Sequence, residues 1–190
     1  MSIFSALKGG KLRSPQSIRH NGKKLSEILE THALFTRGAE NGVRADLSGA
    51  NLNSVNFEGM NLDLVNFSAA NLEGASFYNT RLSSADLSKA NLKKADLRKA
   101  DLTEAHLSGA DCAGAQFGGA ELFRTDLRGA ILRNADFGAA NLRSAEVRGA
   151  DFKGATMRTT ILRETNLEGV DLSGIDLSTT LMPPGYKPAS

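Results

Sequence analysis

The chain has no tryptophan, one cysteine, two tyrosines and four prolines among its 190 residues. A single cysteine excludes a disulfide framework and any cysteine-rich zinc site. No run of about 18 apolar residues occurs, which excludes a membrane-spanning helix. The net charge is only +2, too small to imply nucleic acid as a direct partner. The spacings H-x-x-x-H, C-x-x-C and H-E-x-x-H are missing, and so is a P-loop with its lysine. Three histidines are present, His20, His32 and His106, far apart in the chain. Such a set leads us to expect no catalytic residue, no metal and no cofactor. What the chain does have is 41% hydrophobic residues and 19 glycines, enough apolar content to argue against wholesale disorder.

Charge is unevenly placed. Residues 1–44 hold 8 basic and 3 acidic residues, whereas residues 45–184 hold 14 basic and 18 acidic. The basic opening carries one apolar run, Ile3 to Leu7, too short for a secretory core and followed by no small-residue cleavage site. A flexible basic leader over residues 1–22 is therefore expected, and a cytoplasmic protein with it.

From Ala45 onward the chain reads in fives: ADLSG, ANLNS, VNFEG, MNLDL, VNFSA, ANLEG. The frame does not slip. Every fifth position from Leu47 to Met182 is apolar: 28 positions, of which 18 are Leu and 6 are Phe. Cys112, Val147, Met157 and Met182 fill the rest. Two residues before each stands a small or modest side chain, Ala in 18 of the 28. A mostly polar residue, often Asp or Asn, lies between. Two variable positions follow, rich in Ser, Gly, Lys, Arg and Glu.

A period of five fits neither regular element. On an α-helix five residues advance about 500°, so the leucines would spiral around every side. On a flat strand an odd period alternates faces. A chain that turns a corner every five residues keeps them all on one side. Its coils would stack with backbone hydrogen bonds at the roughly 4.8 Å spacing of strands, making a solenoid of very short strands and turns. Phe57, Phe77, Phe117 and Phe137 share one phase of a twenty-residue period. That favours four pentapeptides per coil, about seven coils and a shaft of about 34 Å. The phenylalanines then stack in the core, and Cys112 is a buried small hydrophobe.

The motif A-(D/N)-L-x-x, in ADLSG at 45–49, ANLEG at 70–74 and ADLRK at 95–99, resembles the pentapeptide repeat family over residues 45–182. The resemblance implies an all-β fold, a right-handed quadrilateral β-helix. It also implies a non-enzymatic protein. A minority of relatives protect DNA gyrase by imitating DNA, and several associate through their C-terminal ends.

The ends of a coil stack expose sheet edges that need covering. Lys23 to Arg37 places Leu25, Ile28, Leu29 and Phe35 at helical spacing, and Gly38 and Gly42 break the pattern. Residues 23–44 are read as a short amphipathic capping helix with its connection. Residues 45–182 form the β-helix, and 183–190 a proline-containing tail. Leu181 stands where a polar residue is usual, which points to a homodimer through the C-terminal end.

Function is expected to lie on the outer walls. On the wall that begins at Met60, the outward positions Leu64, Phe123, Ile161 and Leu181 are apolar, a candidate surface for a protein partner or a second copy. A DNA mimic needs instead a dense negative stripe. The four walls, starting at Ala45, Ala50, Val55 and Met60, carry 3 basic and 5 acidic, 4 and 4, 3 and 4, and 4 and 5 residues. None is strongly acidic. The preferred expectation is a protein-binding scaffold of unknown partner, and the alternative is a DNA-gyrase- or topoisomerase-interacting protein that protects against quinolones or toxins.

Overall fold

In the computed structural model, which describes residues 12–186, the local unit is a corner. The Asp or Asn before each central residue accepts a hydrogen bond from the backbone N–H two residues on, as in Ser48 to Asp46 (3.1 Å) and Arg98 to Asp96 (3.1 Å). This side-chain turn, together with a bond such as Ala50 N–H to Leu47 O at 3.1 Å, bends the chain every five residues. The fifth residue takes positive φ, +64° at Gly49 and +57° at Lys89. That is why glycine recurs there, and why Leu64 and Thr159 sit in an uncomfortable left-handed conformation.

Corners stack into a shaft. Parallel bridges join Asp46 to Asn66, Asn51 to Asn71, Asn56 to Ser76 and Asn61 to Arg81, and the same twenty-residue step continues to Ile161 and Leu181. Four pentapeptides thus make one coil. Pairing on each wall is a single bridge wide, narrower than the short strands expected. Leu47 N–H donates to Asn66 O at 2.7 Å and Asn66 N–H returns to Ala45 O at 3.1 Å, so every full step is zipped twice. The small column is needed because four walls converge on one axis. Ala70, Ala75 and Ala85 have no exposed surface. Five threonines replace alanine there. Their hydroxyls donate to carbonyls of the coil before, as Thr125 does to Leu102 O (2.8 Å) and Thr160 to Phe137 O (2.7 Å).

The phenylalanine phase expected from sequence is what the core shows. Phe57 stacks on Phe77 at 5.0 Å and Phe117 on Phe137 at 4.8 Å, one coil spacing apart. Phe67 meets the first pair edge-on. Cys112 is fully buried, and burial pushes its thiol up, away from the thiolate.

The residues before the shaft are tied to it. Residues 12–22 depart from the expected flexible leader, because the backbone of Arg13 is bonded to the first coil. Arg13 N–H donates to Ser54 O (2.6 Å), Asn56 N–H donates to Arg13 O (3.1 Å), and a guanidinium nitrogen of Arg13 reaches Asn53 Oδ1 (2.7 Å). A 3-10 turn at Pro15–Ser17 and a two-stranded hairpin, β1 Arg19–His20 and β2 Lys23–Lys24, lead into helix α1, Leu25–Phe35. The helix adds Leu25 and Leu29 to the same apolar cluster as Leu47 and Leu52. Past its end the chain returns so closely that a Cβ on Gly42 would lie 2.2 Å from the backbone nitrogen of Phe35. The parts of the leader and tail expectations that fall on 1–11 and 187–190 lie outside the described residues. No helix among the described residues is long and apolar enough to cross a membrane.

Candidate partner-binding surface

The four residues singled out on the wall from Met60 do not form one patch. Ile161 and Leu181 are ladder neighbours, side by side in adjacent coils. Leu181 is 45% exposed and Ile161 half-buried. Phe123 lies two coils nearer the start, about 10 Å from Ile161 along the axis. Leu64 sits in the first coil, exposed at a corner, three further coils from Phe123. The structure therefore brings Ile161 and Leu181 together and leaves Leu64 apart.

Phe123 is not a bare apolar side chain. The guanidinium carbons of Arg124 and Arg143 stand 4.9 and 4.8 Å from its ring centroid, a geometry that attracts cations to the ring face. Each arginine also meets an acid, Arg124 with Glu104 (3.5 Å) and Arg143 with Glu164 (3.8 Å). On the neighbouring wall Arg98 and Lys99 cover Tyr78 in the same way, at 5.6 and 5.5 Å. Sequence reasoning missed these clamps. The readable signal was a basic residue at the matching turn position of the next coil, twenty residues after the aromatic.

Several of the shaft carboxylates are ion-paired as well. Arg98 grips Asp96 with two bonds, of 2.8 and 2.7 Å, and Arg128 grips Asp126 with two of 2.8 Å. The Arg128 side chain and backbone hold the Asp126 carboxyl below its usual range, against the opposing effect of burial. Lys93 meets Asp111 at 3.0 Å. Pairs of this kind break up any negative stripe along the walls.

The two ends are the other places where apolar groups meet solvent. At the C-terminal end, Leu167, Val170, Leu172, Ile175, Leu177 and Tyr186 line a hollow of about 700 Å³. The bridge expected between Asp151 and Asp171 and that between Thr156 and Asp176 are absent, so only two of the four walls, through Glu146–Asn166 and Ile161–Leu181, join the last coil to the one before. At the other end a hollow of about 470 Å³ lies between the hairpin, α1 and the first coil, beside His20, Lys23, Glu27, Arg44 and Asp46. Among the described residues no three His, Cys, Asp or Glu side chains are grouped to hold a metal ion. His106 is exposed on the ladder between Asp86 and Asp126, and His32 is buried under α1.

Comparison with known proteins follows this architecture. The family model described as a pentapeptide repeat region matches residues 50–127, and the model for pentapeptide repeats in eight copies matches 120–158 and 140–178. The chain is similar to the pentapeptide repeat protein Rfr23 of the cyanobacterium Cyanothece 51142, with 28% identity over 66% of this chain and 97% of that one, at a TM-score of 0.52. It is similar in fold to a trypsin-treated form of QnrB1, a plasmid-mediated fluoroquinolone resistance protein. There the identity is 24%, the coverage 74% of this chain and 78% of that one, and the TM-score 0.54. No curated protein matches.

Proposed function

The chain belongs to the pentapeptide repeat family, and on that premise we propose that it is a non-enzymatic protein-binding scaffold that pairs with a second copy through its C-terminal end. The observation that carries the pairing is the uncovered end of the apolar spine. Leu167, Val170, Ile175 and Leu177 are only half-buried there, around the hollow that Tyr186 rims. Joining two such ends would remove both from water, the main drive for association. The surface for a different protein is the Ile161–Leu181 pair with the arginine-clamped ring of Phe123 beside it. An apolar contact framed by Arg143 and Arg163 suits a partner that offers an apolar side chain flanked by acids.

Light scattering on the eluting protein tests the pairing. A dimer that becomes a monomer in the Ile175→Asp, Leu177→Asp double variant supports it, and a wild-type monomer at all concentrations refutes it. Phe123→Ser with Ile161→Ser tests the wall. If both oligomeric mass and partner capture stay unchanged, that surface is not in use. The resemblance to family members that protect DNA gyrase makes gyrase the second partner to test. The arginine-paired carboxylates argue against a DNA mimic, so the chain is expected neither to inhibit supercoiling nor to protect it from a quinolone.

A further inference from the structure

The acceptor that His32 supplies at the start of the shaft is chemically unlike every other rung. Within the shaft, the residue opening each pentapeptide donates its N–H to the central carbonyl of the one before, as Ala50 does to Leu47 and Ala70 to Phe67. Ala45 opens the first pentapeptide and has no such carbonyl behind it. His32 takes that place: its Nδ1 accepts from Ala45 N–H at 3.1 Å, in a fully buried site. A nitrogen that accepts carries no proton, so the neutral ring holds its proton on Nε2. Nε2 is buried and without a hydrogen-bond partner among the described residues. A carbonyl does not titrate near neutral pH, but an imidazole does.

We propose that His32 is an acid-released latch: a proton on Nδ1 displaces the Ala45 N–H, places a cation in a dry site, and frees helix α1 from the first coil. Two charged groups act on the ring from the elements around it, Asp63 of the first coil and Arg44 of the connection; the hairpin and the 3-10 turn contribute none. The Asp63 carboxylate would favour the cation, but it is already paired with Arg81; Arg44 opposes it, and the Asp63 backbone, the smallest influence, favours it. Burial is the largest influence and holds the ring below the ordinary histidine value. The closed state thus binds fewer protons than the open one, so closure is complete above the ordinary histidine value and weakens as pH falls below it. Opening uncovers Leu47, Leu52, Phe57 and Leu62, which are otherwise shielded from water, and gives the shaft a second apolar end.

The test is NMR on the full chain between about pH 7.5 and about pH 5. Ring shifts of His20, His32 and His106 give each titration. Amide exchange in α1 and at Ala45, corrected for the intrinsic rate, gives the open fraction. That fraction is expected to rise about tenfold per pH unit below the ordinary histidine pKa until His32 itself titrates. His32→Asn, whose amide oxygen accepts but does not titrate here, should flatten the pH dependence, while His20→Gln and His106→Gln should leave it. Acid opening that persists in His32→Asn overturns the latch. Should that variant fail to dock its helix at neutral pH, the wild type decides. A His32 that titrates at or above the ordinary value, or that titrates while α1 stays protected, overturns it too.

Discussion

Leu47 and Leu167 occupy the same column of the same wall, six coils apart. Leu47 has no exposed surface, and Leu167 is half-buried beside an open hollow. At the first end, α1 and the residues before it cover the spine, and Arg13 extends the ladder under Val55. At the last end the corners still form: Asp171 and Asp176 accept from Ser173 and Ser178 at 2.9 and 3.0 Å. Yet the bridges from these walls to the coil before are gone. Corner formation is therefore local, carried by five residues, whereas stacking depends on what lies above and below.

The sharpest test of that difference is a matched pair of cavities. Leu47→Ala is expected to cost about 2–5 kcal/mol, because the covered end has little freedom to collapse. Leu167→Ala should cost about 1 kcal/mol, since water already reaches the site. Chemical denaturation of both variants measures the gap, and equal losses would mean that the two ends are packed alike. Overpacking runs in parallel. Ala100→Leu, in the middle of the shaft at 1% exposure, is expected to cost at least about 1–3 kcal/mol. Ala155→Leu, beneath an unpaired wall of the last coil at 6% exposure, should cost clearly less. An unchanged melting temperature for Ala100→Leu would count against the crowding of the inner column.

A smaller effect separates the threonines. Thr125→Val removes the hydroxyl bond to the buried Leu102 carbonyl, at an expected cost of about 1 kcal/mol. Thr180 makes the same bond to Met157 O (2.6 Å), but at a half-buried position. Water can replace it there, so Thr180→Val should move the melting temperature less than Thr125→Val does.

The parts of the structure that were legible in the sequence are those with a five-residue cause. The inward columns, the four-sided coil and the stacked Phe57–Phe77 and Phe117–Phe137 pairs all follow from phase alone. The turn role of Asp and Asn was half-legible: their position read as outward and polar, while the bond to the backbone two residues on did not. The loosening of the last coil was hard to read, because TNLEG, VDLSG and IDLST keep the Asp or Asn and the Leu of the motif and depart from it only in the opening small residue. The tie from Arg13 to Ser54 and Asn56 has no periodic signal, so residues 12–22 read as a loose leader. The clamps on Phe123 and Tyr78 required the twenty-residue step to be applied to charges as well as to apolar residues.

The smallest expected effect addresses why two walls of the last coil come away. In the small column it carries Val170 and Ile175, where Ala150 and Ala155 stand one coil earlier. Valine alone does not break stacking, since Val55 and Val65 are fully buried and their walls are paired. Isoleucine adds a methylene on a branched carbon at the narrowest part of the coil, and overpacking is relieved by backbone shifts. Among the described residues no further coil packs on this one to resist such a shift. Ile175→Ala should therefore let Asp176 return to its partner Thr156 and give Met157 N–H a ladder acceptor. Global stability should change by less than about 1 kcal/mol, because the apolar burial lost offsets the bonds gained. Hydrogen exchange at Phe152 and Met157 reads the outcome directly. Slower exchange at Met157 identifies Ile175 as the wedge, whereas unchanged exchange at both places the cause outside the small column.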